Sequence, residues 1–407
     1  MDHLVAEEII EHLRQGTVSI EHVEEFSVGR SDELAQAIHR MDQAERGDSQ
    51  LSFVNGPYGA GKTHFLSMVR TEALRRNFAV THVVLSGQSC PLDRLQTVFT
   101  ALMAGLSTPE CRDRSAFRRA LDKWLNTIEQ ELLDSGMAEQ HCRHGLAYSA
   151  CGHGCFVELL ANRVSALAGL HPDFALVLTA YFNANWAGDG SIMRLCEHWL
   201  LGHAIPAVER KRIGRAAHQD RYPKNISNHS ALHAFGDAAR IVRTIDCRGL
   251  IIMLDEAETM PSVGRGGEIS AFVNLVLLMH ACLHKWQGIY CVYATTPYFE
   301  YTFKRIFKRV CASAKSVDSA AWIEREFLDN RIDLGLPDRE VLTKLAASVY
   351  RIYQAAAEGR SASAVPERAW VLGKAKAIVD TLDTNATIRG FVTRLVREID
   401  RLPHRGT

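Results

Sequence analysis

Apolar positions along the chain follow two patterns, short apolar runs and longer stretches with helical spacing. Leu250–Leu254 and Ile289–Ala294 carry no charged residue, which is typical of strands buried on both faces of a parallel sheet. The apolar runs predict strands at Leu51–Asn55, Ala79–Leu85, Leu250–Leu254, Gly288–Ala294 and, more weakly, Arg331–Leu334. Helical spacing dominates residues 5–45, 64–76, 90–241, 271–283 and those after 337. Strands that alternate with helices predict a parallel α/β sheet.

A glycine-rich segment directly follows the first predicted strand. Gly56–Thr63 matches the pattern G-x-x-x-x-G-K-[ST] in full, and a helical stretch follows it. Such a loop turns backbone N–H groups toward phosphate oxygens, and the next helix presents its positive end. Lys62 is expected to reach the β- and γ-phosphates, and the Thr63 hydroxyl to bind Mg²⁺. The candidate nucleotide-binding residues of this segment are Gly56, Pro57, Tyr58, Gly59, Ala60, Gly61, Lys62, Thr63 and His64.

Acidic residues follow the buried strand Leu250–Leu254. Asp255 stands at its carboxyl end, where open α/β sheets bind ligands, and is the candidate second metal ligand. Glu256 comes next and is the candidate group that polarises the attacking water. A helix N-terminus with favourable acidic residues is the alternative interpretation. That alternative leaves the apolar run before Asp255 unexplained.

Two threonines close the next buried strand. A hydroxyl of Thr295 or Thr296 is expected to contact the γ-phosphate or the attacking water. Since Pro297 follows them, a strand end with ordinary turn chemistry is the alternative.

These features together resemble the AAA+ class of ATPases, nearest to its origin-recognition and STAND-type branch. More narrowly, the chain resembles the ATP-binding proteins of BREX-type bacteriophage-exclusion systems, BrxC and BrxD. The match extends over most of the chain and is carried by Ile9–Thr17, Val28–Arg30, Gly56–Thr63, Trp199–Gly202, Gly249–Glu258, Ala294–Pro297 and Thr387–Phe391.

The resemblance implies roles for three arginines. Arg30 would lie by the adenine and ribose, and Arg389 would reach the phosphates from a C-terminal helical lid. Arg309 would act on the nucleotide of a neighbouring subunit, which implies a homo-oligomer. Each arginine has a plainer interpretation as a solvated surface residue.

The resemblance also implies an AAA+-like P-loop NTPase fold with a large helical insertion. The expected organisation is an N-terminal helical segment at 1–50, an ATPase domain at 51–335 with the insertion at about 90–240, and a helical lid at 336–407. The insertion departs from an ordinary AAA+ core.

Charge and composition limit the partners that the sequence indicates. Lysine plus arginine and aspartate plus glutamate both number 47, so net charge gives no argument for nucleic acid. No signal peptide is recognised, and the longest apolar stretches, around Val273–Leu278 and Leu250–Leu254, are too short to span a bilayer. We therefore expect a cytoplasmic protein with ten reduced cysteines and no membrane partner.

Two further clusters have open interpretations. Cys142, His144, Cys151 and Cys155 have spacings that a Zn²⁺ ion can use, but an ordinary loop is the simpler alternative. Basic residues near 210–221 and 304–309 are either DNA contacts or solvated helix faces.

The leading hypothesis is an ATPase switch or motor in phage defence, using ATP and Mg²⁺. It would act on DNA together with a helicase, nuclease or methyltransferase of the same system. A nucleotide-dependent scaffold or target selector with little turnover is the main alternative. A small-molecule kinase is disfavoured by the adjacent acidic pair Asp255 and Glu256 and by the long helical insertion.

Overall fold

A computed structural model describes most of the chain. It covers residues 1–17, 22–113, 115–134, 160, 162–164, 167, 169–245, 247–256, 264–313, 318–358, 366–381 and 387–401. The Cys/His cluster at 141–155 lies outside these residues.

Five strands form one parallel sheet, as the sequence predicts. They are β1 (Gln50–Asn55), β2 (Ala79–Val84), β3 (Leu250–Asp255), β4 (Ile289–Thr295) and β5 (Arg331–Asp333), in the order β2-β3-β4-β1-β5. The β2–β3 register runs from Ala79 opposite Leu250 to Val84 opposite Asp255, and Phe53 of β1 lies opposite Arg331 of β5. Every residue of β3 and β4 is buried, which explains their uninterrupted apolar sequences. The α/β fold class is therefore confirmed.

Helices occupy the connections and both ends of the chain. In chain order they are α1 (His3–Gln15), a 3₁₀ helix (Val23–Phe26), α2 (Ser31–Glu45), α3 (Lys62–Arg75), α4 (Leu95–Ala104), α5 (Ala116–Asp134), α6 (Pro172–Trp186), α7 (Gly190–Leu200), α8 (Ala207–Ala216), α9 (Asn228–Thr244), α10 (Gly264–His284), α11 (Pro297–Ser313), α12 (Asp318–Asp329), α13 (Arg339–Ala357), α14 (Arg368–Asp380) and α15 (Ile388–Asp400).

The chain divides into two compact units. One unit comprises residues 42–51 and 76–291 and contains the predicted helical insertion. Within it, α6, α7 and α8 pack against one another. Trp199 of α7 is fully buried, and its indole Nε1 donates to the Lys224 carbonyl oxygen at 2.9 Å. This bond satisfies the polar atom of a large, fully buried side chain of the insertion.

The other unit comprises residues 1–41, 52–75 and 292–407. It holds the glycine-rich loop and a helical core to which both ends of the chain contribute. Ala6, Ile9, Ile10 and Leu13 form one face of α1 and pack into the same apolar core as α13, α14 and α15. The first helix is therefore built into the C-terminal helical layer.

One helix has the composition of a membrane span. Among the described residues, the window Gly267–His284 of α10 is long and apolar enough to cross a bilayer, and 44% of it is buried inside the protein. The apolar stretch Val273–Leu278 inside this window is by itself too short to span a bilayer, and the longer window also includes polar residues. As the connection between β3 and β4, α10 occupies the position of a core helix.

Candidate nucleotide-binding site

The glycine-rich loop connects β1 to α3, and three of its positions require glycine. Gly59 and Gly61 have φ angles of 82° and 86°, a region that side chains rarely adopt. A Cβ atom on Gly56 would lie 2.8 Å from the Leu334 carbonyl oxygen. The Gly56 amide donates to the Thr295 carbonyl oxygen at 3.2 Å, which ties the start of the loop to the end of β4.

Lys62 begins α3 and folds back over the loop. Its ammonium donates to the carbonyl oxygens of Gly56 at 2.9 Å and Pro57 at 3.4 Å. The ammonium also lies 5.3 Å from the centroid of the Tyr58 ring, a side chain that is 75% exposed. These contacts place a positive charge at the loop, as phosphate binding requires.

Residues just before α2 pack against the loop and the start of α3. The Arg30 guanidinium donates to the carbonyl oxygens of Ala60 at 3.1 Å and Gly335 at 2.6 Å. The His64 ring lies beside Phe26, and its Nε2 is 3.1 Å from the Ser27 hydroxyl. Burial, with a smaller contribution from Arg30, lowers the pKa of His64 to about 4, so the ring is neutral near pH 7. Arg30 and His64 are both predicted to bind the nucleotide, and the structure shows each of them in contact with other protein groups.

The first turn of α15 also contacts the loop. The Ile388 amide donates to the Gly59 carbonyl oxygen at 3.3 Å, and a Cβ atom on Gly59 would lie only 2.1 Å from Cγ2 of Thr387. Nothing in the sequence predicts this contact. Arg389 is exposed, and its Nε donates to the Gly16 carbonyl oxygen at 2.5 Å, so its predicted phosphate contact stays a prediction.

Thr295 and Thr296 are buried at the end of β4. The Thr295 carbonyl oxygen accepts the Gly56 amide, but its hydroxyl, also buried, has no hydrogen-bond partner among the described residues. A buried hydroxyl without a partner is costly, so this atom is suited to a ligand or a water molecule. The Thr296 carbonyl oxygen accepts the Phe299 amide at 2.9 Å in the first turn of α11.

Asp255 and Glu256 lie in the unit that contains the insertion. Asp255 is 3% exposed, its Oδ1 accepts the Glu256 amide at 2.9 Å, and its Oδ2 lies 3.8 Å from Nε2 of His82. Glu256 is exposed and has a φ angle of 55°, an unusual conformation for a glutamate. Strained residues of this kind concentrate at functional sites. His82 was not anticipated, because a histidine in a strand carries no signal of its partner.

Comparison with protein families decides the identity of the chain. The family described as BREX system ATP-binding protein BrxC/D matches residues 2–405. The chain belongs to the BrxC/D family. This membership confirms the BREX resemblance and identifies an ATP-binding protein of the BREX system. Comparison with curated proteins and with solved structures found no significant match.

The loop of this BrxC/D protein has the features that a triphosphate needs. Glycines at 56, 59 and 61 shape the backbone and Lys62 supplies the charge. The Thr295 hydroxyl, which has no hydrogen-bond partner in the described part of the chain, is a further polar group. The Thr63 hydroxyl and the Asp255 carboxylate are oxygen donors of the type that Mg²⁺ prefers. Among the residues that the structure describes, no three His, Cys, Asp or Glu side chains are grouped as metal ligands.

The basic clusters of the BrxC/D chain differ in their surroundings. Arg210 donates to the Ile205 and Pro223 carbonyl oxygens, and Arg221 pairs with Asp173 at 2.7 Å, so these two arginines stabilise the insertion. Arg309 lies on the exposed side of α11. The exposed basic residues of α11 are Lys304, Arg305, Lys308 and Arg309, of which Lys304 also pairs with Glu300 and Glu324.

Proposed function

We propose that this BREX ATP-binding protein is a Mg²⁺-dependent ATPase that acts as a switch or motor. The observation that carries the proposal is a complete P-loop with the first turn of α15 bonded to its Gly59 carbonyl oxygen. A change in the loop on nucleotide binding or hydrolysis would then move the start of α15 directly. Such a contact suits coupling of nucleotide state to a helical lid better than simple group transfer.

Each candidate residue has a separate part in the proposed reaction. The loop amides and Lys62 bind the phosphates, and Thr63 and Asp255 hold Mg²⁺, which neutralises phosphate charge when bound. Glu256 accepts a proton from the attacking water or orients it. The Thr295 hydroxyl, with Thr296, positions that water or the γ-phosphate. These parts supply positioning and electrostatic stabilisation, the main needs of phosphoryl transfer.

The output of the proposed cycle is contact with other proteins of the defence system. A helicase, nuclease or methyltransferase that acts on DNA would respond to the position of the helical lid. Arg309 is exposed on α11 and would complete a neighbouring subunit's site in a homo-oligomer. The proposed setting is the cytoplasm.

Phosphate release from ATP, with and without DNA, tests the hydrolysis proposal. Glu256→Gln removes the proton acceptor but keeps the size of the side chain. We expect it to lower kcat at least about a hundredfold while ATP binding is retained. Glu258→Gln is the control, since it removes the carboxylate two positions further along the sequence and leaves the proposed base in place.

Two outcomes would contradict this assignment. Unchanged turnover in Glu256→Gln would remove Glu256 from the proposed mechanism. Negligible turnover of the wild-type chain, together with ATP-dependent assembly, would favour the nucleotide-dependent scaffold. Lys62→Ala is expected to lose nucleotide binding under either proposal, so it serves only as a negative control.

A further inference from the structure

Arg30 contacts the P-loop through a backbone carbonyl oxygen. One guanidinium nitrogen, Nη2, donates to the carbonyl oxygens of Ala60 at 3.1 Å and Gly335 at 2.6 Å. The other, Nη1, pairs with Oε1 of Glu33 at 2.7 Å. The Arg30 side chain is only 12% exposed and Glu33 is 19% exposed, so these bonds form in a partly desolvated place. Charge-assisted bonds of this kind are among the stronger ones in proteins.

The local sequence delivers Arg30 to this position. Gly29 has a φ angle of 72°, and a Cβ atom there would lie 2.6 Å from Cγ2 of Val341. The chain can therefore make this turn against α13 only with glycine. The Arg30 carbonyl oxygen also accepts the Leu34 amide at 3.0 Å, which fixes the backbone at the start of α2.

The bond to Ala60 has a consequence for phosphate binding. In a trans peptide the carbonyl and the following amide point in opposite directions. Because the guanidinium holds the Ala60 carbonyl toward Arg30, the Gly61 amide is held facing away from Arg30. Gly61 directly precedes Lys62, and the amides of a P-loop are the groups that cradle phosphate.

We propose that Arg30 is a positioning residue of the P-loop, which fixes the Ala60–Gly61 peptide for phosphate binding through the Ala60 carbonyl oxygen. This inference rests on the proposed function, since it concerns the same nucleotide site. It differs from the role by the adenine and ribose that the resemblance implied, because the contacts of Arg30 are to loop carbonyls and Glu33. The bond from Arg30 to the Gly335 carbonyl oxygen also links the P-loop to the segment that follows β5.

A ligand that has phosphates but no base or sugar distinguishes a role in positioning the P-loop from a role at the adenine and ribose. We suggest measuring the affinity of the full chain for ATP and for inorganic tripolyphosphate by calorimetry or competition. Arg30→Ala is expected to lower the affinity for ATP and the affinity for tripolyphosphate by the same factor, about tenfold to a hundredfold. The affinities of Arg30→Lys should lie between those of the wild type and of Arg30→Ala. A single ammonium does not reproduce the guanidinium fork that bonds to the two carbonyl oxygens and to Glu33.

Two more variants control for folding and for loss of any arginine. Glu33→Gln keeps Arg30 but removes its charged partner, so it should weaken both ligands equally and by less than Arg30→Ala. This variant and Arg30→Lys carry the test where Arg30→Ala does not fold. Arg40→Ala removes an arginine of α2, the helix that directly follows Arg30, whose guanidinium contacts the Asp329 carbonyl oxygen, and both affinities should stay unchanged.

Several outcomes would overturn the inference. A loss of ATP affinity with unchanged tripolyphosphate affinity would assign Arg30 to the base or ribose. Unchanged affinity for both ligands would leave Arg30 without a role at the site. A wild-type chain that binds ATP but not tripolyphosphate would also oppose it, because the phosphate cradle would then not carry the affinity. A wild-type chain that binds neither ligand would instead contradict the proposed function itself.

Discussion

Asp237 in α9 shows how one buried carboxylate can set a pH dependence. Asp237 is 1% exposed, and burial raises its pKa to about 6. Its Oδ1 accepts the His171 amide and pairs with Nη1 of Arg240, both at 3.3 Å, which oppose the shift without cancelling it. The other titratable groups that line the same cavity are His171, His229, His233, Asp173 and Lys224.

The raised pKa of Asp237 predicts that stability falls as the pH rises from about 4 to about 6. In this window the folded state still holds the proton, whereas an unfolded aspartate with a pKa near its ordinary value has released it. The total effect is on the order of 3 kcal/mol of unfolding free energy. Asp237→Asn should remove this slope, because an asparagine side chain does not titrate in this range. Its amide oxygen can still accept the His171 amide, so the hydrogen bond is kept. Urea unfolding of both chains between pH 4 and 7.5 measures it, and parallel slopes would refute the assignment.

For single residues, the sequence predicts a chemical role better than it predicts which groups the side chain contacts. The P-loop residues could be predicted as a phosphate site because phosphate binding by such a loop requires these residue types at this spacing. Arg30, His64 and Arg389 were also proposed as nucleotide-binding residues, a role that stays a prediction, but the sequence did not predict the contacts that the structure gives them. Arg30 reaches the Ala60 carbonyl oxygen and Arg389 reaches that of Gly16, 373 positions away in the chain. Such backbone acceptors are present at every position, so nothing in the sequence distinguishes them.

Among the elements, α15 depends on the residue that caps its N-terminus at the P-loop. The Thr387 hydroxyl accepts the Gly390 amide at 3.0 Å, and its methyl group faces Gly59. Thr387→Val keeps the shape but removes the acceptor, so we expect a loss of about 1 kcal/mol of unfolding free energy. Thr387→Ser keeps the acceptor and should lose less. Urea unfolding ranks the two, and an equal loss in both would show that the methyl contact matters instead.

The strands were predictable for a physical reason that does not extend to helix packing. Strands β3 and β4 are buried on both faces, so their sequences are continuous apolar runs, and their observed limits lie within one or two residues of the predicted ones. The face of α1 was equally visible in its spacing. Periodicity shows that this face is buried but not which elements cover it, so its packing on α13 and α15 was not predicted.

For the chain as a whole, the two ends belong to the same helical layer. Arg14 in α1 makes two bonds to Asp400 at the end of α15, at 2.8 and 3.0 Å. The Tyr353 hydroxyl of α13 donates to the same carboxylate at 2.8 Å. Three helices that are distant in sequence thus meet at one acidic group beside their shared apolar core. The packing of α1 is therefore shared with the helices that follow residue 337.

Hydrogen–deuterium exchange can test whether α1 and the C-terminal helices form one cooperative unit. Ile9 is fully buried in their shared core, so Ile9→Ala should create a cavity and cost about 2–5 kcal/mol. We expect faster exchange in α13 and α15 as well as in α1, because a shared core opens as one unit. Leu4→Ala, at a position 62% exposed on the same helix, should leave all three unchanged. Faster exchange confined to α1 would instead support a separate helical segment at residues 1–50.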